Sequence, residues 1–152
     1  MTVEGISHIT LIVRDLDRTG RLLSTVLGAA QVYDSGEAAF SLSRERFFLL
    51  GGTWIALMEG TPNLAHTYDH IAFKIPESEL DEYRHRIEHA GLKIRQARPR
   101  IQGEGESLYF YDFDGHLFEL HTGTLEDRLR AYGRPGAEPA PLTPTETPPA
   151  AL

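Results

Sequence analysis

The chain has 152 residues, a length that suits one domain or two half-domains around a common core. It contains no cysteine, which excludes disulfides, thiolate metal ligands and a cysteine nucleophile and favours a cytoplasmic location. The formal net charge of −7 argues against a nucleic-acid partner, because phosphate contacts need clustered Lys and Arg. No apolar run is long enough to predict a membrane span.

The first half of the chain predicts a strand, a helix and further short strands. Over residues 6–14 the pattern alternates, with Leu11 and Val13 on one face and His8 and Thr10 on the other. A helix with an apolar stripe follows and ends at a glycine. The predicted elements after the first strand are the helix at 15–28 and strands near 30–33, 38–42 and 54–59, while 43–52 either extends a strand or forms a hairpin loop.

The second half repeats this order after a polar connector at 60–67. Its predicted elements are a strand at 68–75, a helix at 78–90, strands at 92–98, 107–112 and 117–122, and a terminal helix at 125–132. We therefore predict one domain over 1–132, with repeat 1 at about 4–60 and repeat 2 at about 67–123. The remaining residues, 133–152, are rich in Pro, Ala and Thr and are predicted to be a flexible tail.

Two histidines occupy equivalent places in these repeats. His8 opens SHITLIVRDL and His70 opens DHIAFKIPES. A single strand histidine is usually structural, but two equivalent ones can share one ligand, most simply a metal ion. A carboxylate inside the apolar run HLFELHTG, Glu119, is costly unless it is paired or bound to metal. Aligning WIALMEG with LFELHTG puts Ala56 opposite Glu119, so a fourth symmetric ligand is missing and the site would stay open for catalysis.

Several segments carry a resemblance to a known family: GISHIT, YDHIAFKI, FSLSRERFFLLGGTWIALM and GEGESLYFYDFDGHLFELHTGTLEDRL. Over about residues 1–132 the chain resembles the vicinal-oxygen-chelate superfamily, whose α+β fold pairs βαβββ modules around a metal. Within it, the chain is similar to the fosfomycin-resistance proteins. The resemblance implies that His8, His70 and Glu119 bind Mn(II) or another divalent metal. It also implies a homodimer that exchanges modules, so that each site is built from both subunits.

The resemblance further implies the chemistry. Two branches of that family add a thiol to the phosphonate epoxide fosfomycin, and the third, the FosX type, adds water. The chain is similar to the third because Glu45, in SLSRERFF, matches the position of its general base. Hydration would give a vicinal diol and confer antibiotic resistance without a thiol cofactor.

A phosphonate also needs hydrogen-bond donors. Thr10 shares the face of His8, and Tyr109 alternates with apolar neighbours, so both are candidates. Arg128 matches a family arginine that contacts the phosphonate. Either Arg98 or Arg100 replaces a family lysine, and the sequence leaves both open. The loop around Glu104 departs from the potassium-binding loop of the glutathione branch, so a potassium site stays open too.

Three other functions use related folds or ligands. A thiol transferase would require glutathione or bacillithiol, and the Glu45 segment argues against it. A drug-binding protein of the bleomycin-resistance type would use a metal-free cavity, and the three ligands argue against that. An extradiol oxygenase also uses two His and one carboxylate, but its motifs match this chain poorly.

Overall fold

A computed structural model of the protein describes residues 2–133. In chain order the elements are β1 (His8–Val13), α1 (Leu16–Thr25), β2 (Ala30–Asp34), β3 (Glu45–Leu50), β4 (Thr53–Glu59), β5 (His70–Lys74), α2 (Leu80–His89), β6 (Ile94–Arg95), β7 (Ser107–Tyr111), β8 (Leu117–His121) and α3 (Leu125–Tyr132). The predicted tail at 133–152 lies outside the described residues, apart from Gly133.

The eight strands form two four-stranded sheets with the same order. The first sheet runs β1-β4-β3-β2 and the second runs β5-β8-β7-β6. In each, the first pair is parallel and the other pairs are antiparallel. The predicted α+β fold of paired βαβββ modules is therefore confirmed. The described chain divides into two compact units, unit 1 with residues 2–64 and 112–116 and unit 2 with residues 65–111 and 117–133.

In unit 1 the helix α1 covers one face of the first sheet. Asp15 caps this helix, since its carboxylate accepts a hydrogen bond from the Arg18 amide at 2.9 Å. Gly20 lies so close to the sheet that a Cβ there would be 3.1 Å from the Phe48 ring. Apolar side chains of the helix and of the covered face are buried together, among them Val13 and Leu23. The opposite face of the sheet is the one that α1 does not cover.

One predicted strand of unit 1 is wrong. Residues 38 and 39 are irregular, residues 40–42 form bends, and the strand next to β4 is β3, which begins at Glu45. Gly36, with a φ of +60°, turns the chain away from β2. Ser35 then closes the loop, because its amide donates to the Glu45 carbonyl and its hydroxyl accepts from the Glu45 amide, both at 3.0 Å. The loop is thus excluded from the ladder, and Glu45 belongs to a sheet.

In unit 2 the predicted strand at 92–98 is reduced to the two residues of β6. The chain then forms a long loop, 96–106, which lies against the backbone that follows β8. A Cβ on Gly105 would overlap the Gly123 nitrogen, so the two backbones touch and only glycine fits there. Pro99 has no amide hydrogen to donate and therefore disfavours a longer β6.

Within residues 2–133, the helices are all too short or too polar to cross a membrane.

Candidate functional site

The polar side chains of unit 2 gather on one face of the second sheet, around Glu119. Strand pairing puts Ala72 of β5 and Tyr109 of β7 on either side of Glu119 in β8. Side chains that are paired in this way point to the same face of a sheet. His70, two residues before Ala72, shares that face, and its Nε2 lies 2.8 Å from Glu119 Oε2. The sheet thus brings together two of the three predicted metal ligands.

The hydrogen bond of the second ring nitrogen of His70, Nδ1, determines what can lie between His70 Nε2 and Glu119 Oε2. His70 Nδ1 is 2.7 Å from the backbone carbonyl of Tyr68, and a carbonyl can only accept, so Nδ1 carries a proton. In a neutral imidazole Nε2 then presents a lone pair to the Glu119 oxygen. Two lone pairs at this distance repel unless a proton or a cation lies between them. A neutral imidazole with a carboxylate is a donor set that divalent metals accept, so these residues fit the expected ion.

The second oxygen of Glu119 is held by protein donors. The Ser107 hydroxyl donates to Oε1 at 2.5 Å, and Nη2 of Arg100 lies 3.2 Å from the same atom. Burial raises the pKa of Glu119, but hydrogen bonds from the Ser107 and Tyr109 hydroxyls act in the opposite direction, and the pKa is lowered overall. Glu119 is therefore a charged carboxylate with one oxygen fixed and the other turned to His70.

Arg100 is a largely buried cation with spare donors. Its side chain is 15% exposed, and Nη2 donates to Ser107 at 2.5 Å and to the Tyr109 hydroxyl at 3.1 Å. Its Nε and Nη1 are buried without a hydrogen-bond partner among the described residues. Buried donors are rarely left unpaired, so these two atoms are suited to receive the oxygens of an anion.

Arg98 differs from Arg100, because a carboxylate of the protein accepts hydrogen bonds from its guanidinium group. Its Nη1 and Nη2 each lie 2.8 Å from an oxygen of Glu104, whose side chain is fully buried. Burial raises the pKa of Glu104, but Arg98 and the Ile101 amide outweigh it and lower the pKa to about 2. The Arg98 Nη2 also donates to the Tyr132 hydroxyl at 3.2 Å. The ion pair thus lies within loop 96–106, and the bond to Tyr132 connects this loop to α3.

Arg128, on α3, lies beside the same cluster. Its Nη2 is 3.4 Å from Nε2 of His121, and its Nε is 4.0 Å from a Glu104 oxygen. His121 in turn places Nδ1 2.8 Å from the Ser107 hydroxyl. Arg128 is thus linked to Glu119 through two intermediate side chains.

In unit 1 the remaining predicted residues share one face of the first sheet. The pairing aligns His8 with Trp54 and Thr10 with Ala56 across β1 and β4. It aligns Glu45 with Met58 across β3 and β4, and residues two apart on a strand point the same way. Glu45 therefore lies on the face of His8 and Thr10, opposite α1. Glu45 is only 9% exposed, and within the described residues no hydrogen bond reaches its carboxylate.

The two registers also confirm the internal repeat. His8 pairs with Trp54 as His70 pairs with Leu117, so Ala56 occupies the place in unit 1 that Glu119 occupies in unit 2. Counting along β3 and β7 in the same way makes Glu45 equivalent to Ser107. Among residues 2–133, no three His, Asp or Glu side chains are placed so that they could hold a metal ion.

Two residues of the cluster were missed by sequence reasoning. Ser107 bridges Arg100, Glu119 and His121, and Tyr68 orients His70 through its carbonyl and contacts the Tyr109 hydroxyl at 3.3 Å. The signal for Ser107 was its repeat equivalence to Glu45. No sequence pattern marks a backbone carbonyl such as that of Tyr68.

Comparison with known proteins relates this arrangement to a family. The family model of the Glyoxalase/Bleomycin resistance protein/Dioxygenase superfamily matches residues 5–120. Fosfomycin resistance protein FosX of Listeria monocytogenes is 55% identical over 130 residues, 86% of this chain and 98% of that protein. Metallothiol transferase FosB of Staphylococcus saprophyticus is 36% identical, over 86% of this chain and 84% of that protein.

A solved structure agrees with these sequence matches. The crystal structure of a FosX variant from Listeria monocytogenes, complexed with Mn(II) and 1S,2S-dihydroxypropylphosphonic acid, superposes with a TM-score of 0.79. It is 51% identical and covers 86% of this chain and 99% of that one. The chain belongs to the Glyoxalase/Bleomycin resistance protein/Dioxygenase superfamily and, within it, to the FosX family.

Proposed function

We propose that the protein is a Mn(II)-dependent enzyme that hydrates the epoxide of fosfomycin to a vicinal diol and thereby gives resistance to the antibiotic. One observation carries this proposal. The FosX structure that matches 86% of this chain holds Mn(II) together with a dihydroxypropylphosphonic acid. That compound is a three-carbon phosphonate with hydroxyls on adjacent carbons, which is what the addition of water to a propyl phosphonate epoxide yields.

The metal ligands of this proposal are His8, His70 and Glu119. The contact between His70 and Glu119 supports two of them. His8 is assigned by its repeat equivalence to His70 and by the family resemblance. Mn(II) held by these residues would supply a Lewis acid that stabilises negative charge on the epoxide oxygen as the ring opens.

Glu45 is the general base of the proposed reaction. Its carboxylate takes a proton from water, the water oxygen forms a bond to an epoxide carbon, and the bond from that carbon to the ring oxygen breaks. The released oxygen then takes a proton, so the net change is the addition of one water. Burial and the lack of a hydrogen-bond partner among the described residues leave the carboxylate of Glu45 free for this role.

Arg100 is the proposed main contact for the phosphonate and the replacement for the family lysine. Its two unpartnered buried nitrogens can donate to phosphonate oxygens, and its third nitrogen, Nη2, donates to the Tyr109 hydroxyl. Thr10 and Arg128 complete the proposed set of contacts. Arg98 acts differently in this proposal, since Glu104 occupies its donors, and it supports the loop that carries Arg100.

The second candidate is a thiol transferase, and the 36% identity to FosB is what favours it. The higher identity to FosX and the position of Glu45 favour hydration. We also propose a homodimer with exchanged modules, on the family resemblance, and a cytoplasmic location, which the cysteine-free composition favours.

Isotope labelling tests the proposed nucleophile directly. Fosfomycin is incubated with the protein and Mn(II) in water enriched in oxygen-18, with glutathione or bacillithiol added to parallel samples. Hydration predicts a diol that carries one oxygen-18 atom in every sample, detected by mass spectrometry. A thiol adduct in place of the labelled diol would instead identify a transferase.

A further inference from the structure

The two neighbours of Glu45 on the chain are arginines whose side chains lie on the other side of the first sheet. Successive side chains of a strand point to opposite faces, so Arg46 faces α1 while Glu45 faces away from it. Arg44, just before β3, pairs with Glu59, which is aligned with the buried Val13 of the covered face. The proposed base therefore lies between two cations that point away from it.

Arg44 makes a two-point contact with the end of β4. Its Nε and Nη2 lie 2.9 and 2.7 Å from the two oxygens of Glu59, and its backbone carbonyl accepts from the Glu59 amide at 2.9 Å. Two parallel bonds fix the orientation of a guanidinium as well as its distance. A third bond, from Nη1 to Glu37 at 3.1 Å, ends on a side chain that is 93% exposed.

Arg46 connects three elements on the same side. Its Nη1 lies 2.7 Å from Asp17 of α1, and its Nε lies 2.6 Å from Asp34 at the end of β2. The Arg46 side chain is 19% exposed, whereas those of Asp17 and Asp34 are 67% and 37% exposed, so water screens the Asp17 contact more than the Asp34 contact. The backbone on both sides of Glu45 is thus held by ion pairs.

We propose that Arg44 and Arg46 are positioning residues for Glu45 and that their ion pairs hold the start of β3 so that its carboxylate is presented for catalysis. This inference rests on the proposed function. The carboxylates that pair with the arginines have a second effect, which is to keep the guanidinium groups away from Glu45. A guanidinium that lost its carboxylate partner could turn to Glu45 and bind the carboxylate oxygens that must accept a proton. Proton transfer depends steeply on position, so small displacements of this backbone should lower kcat.

The test compares kcat, KM and Mn(II) affinity in variants of the full chain. Arg44→Gln and Arg46→Gln should each lower kcat for diol formation about tenfold, with KM within about twofold, because positioning of the base is lost and phosphonate contacts remain. Mn(II) affinity should not change. Glu37→Gln is the matched control, since it removes an exposed partner of the same arginine and should leave kcat unchanged.

The double variant Arg44→Glu with Glu59→Arg distinguishes a loss of Glu45 positioning from a general loss of stability. It restores an ion pair between the same two positions and should recover kcat to within about threefold of wild type, whereas Glu59→Gln alone should not. An exchange that folds but leaves kcat low would overturn the proposal, as would Gln variants with lowered Tm and unchanged kcat. If the Gln variants do not fold, the exchange and Glu59→Gln decide.

Diol formation by the wild-type protein distinguishes a failure of this inference from a failure of the proposed function. Wild-type protein that forms no diol contradicts the hydration itself. Diol formation by wild type and by both Gln variants, with Glu45→Gln inactive, contradicts only the role of the arginines.

Discussion

Among the acidic residues of the first sheet, Glu45 is set apart by its surroundings. Glu59 and Asp34 lie on the side of α1 and pair with arginines, whereas Glu45 is buried on the other face without a hydrogen bond from the described residues. An unpaired buried carboxylate is costly for folding. Such a cost is common at catalytic sites, where the group must stay available to accept a proton.

Glu45→Gln tests the role of this carboxylate with little change in size. Diol formation should fall by at least about 100-fold, since a positioned general base contributes roughly 10²–10⁴. Mn(II) affinity, measured by titration, should be unchanged because Glu45 is not a proposed ligand. Turnover above one tenth of the wild-type value would remove Glu45 from the mechanism.

Single substitutions of Arg98 and Arg100 can show which of the two contacts the phosphonate. Arg100→Met should raise KM for fosfomycin at least about tenfold, because it removes the spare buried donors, at 1.5–3 kcal/mol for a charged hydrogen bond. Arg98→Met should lower Tm and change KM less, because its donors are used by Glu104. Steady-state kinetics and thermal unfolding of both variants give the answer, and a larger KM effect at Arg98 would reverse the assignment.

At the scale of residues, the sequence predicts which side chains belong to the candidate site. It predicts less well which atoms those side chains contact. The repeat alone indicates His70, Glu119 and the alanine that stands opposite Glu119. It could not distinguish Arg98 from Arg100, because they are two residues apart and differ only in where loop 96–106 turns. That turn depends on the buried Glu104, and the spacing of residues in the sequence does not predict which arginine pairs with it.

At the scale of elements, loop 96–106 depends on one buried carboxylate. The pKa of Glu104 is lowered from 4.5 to about 2 in the folded protein, because the bonds from Arg98 and the Ile101 amide outweigh burial. A lowered folded-state pKa gives stability that is fully present above about pH 4.5 and is lost as the pH falls toward 2. The loop should therefore be held most firmly above about pH 4.5.

Glu104→Gln should reveal this dependence. The variant should lose about 1–3 kcal/mol of unfolding free energy at pH 7, since it removes a buried charged hydrogen-bond acceptor. The difference from wild type should shrink as the pH falls below 4.5, as measured by denaturant unfolding at a series of pH values. Glu106→Gln, an exposed change on the same loop, is the control and should show little effect. A difference that stays constant down to pH 3 would contradict the assignment.

The elements also show why one strand was predicted wrongly. Residues 38–42 contain apolar side chains that suit a short strand, but Phe40 and Leu42 are 79% and 91% exposed in the structure. The bonds between Ser35 and Glu45 join the two ends of the loop and exclude the intervening residues from the sheet. Such pairing across ten residues follows from tertiary contacts and not from local pattern.

At the scale of the whole molecule, the two sheets are variants of one plan with different side chains at equivalent places. Unit 1 has Ala56 and Glu45 where unit 2 has Glu119 and Ser107. One copy thus carries the carboxylate proposed as a metal ligand, and the other carries the proposed base. This division of roles within a repeat is what the sequence alignment of the two halves predicted for Ala56 and Glu119.

The proposed domain boundary and dimer can be tested together. A chain that ends at Gly133 should keep the kcat and the oligomeric state of the full chain, because the proposed ligands, base and phosphonate contacts all precede that residue. Sedimentation of both chains should give the mass of a dimer. A monomeric full-length chain with full activity would contradict the proposed sharing of sites between subunits, and an inactive shortened chain would contradict the boundary.

Phosphorus NMR of fosfomycin incubated with the purified protein tests the proposed hydration most directly. With Mn(II) and no thiol, the fosfomycin signal should be replaced by that of the diol, and a chelator or the Glu45→Gln change should prevent it. A product that forms only when glutathione or bacillithiol is present would contradict hydration and identify a transferase. An unchanged fosfomycin signal in every sample would contradict fosfomycin as the substrate.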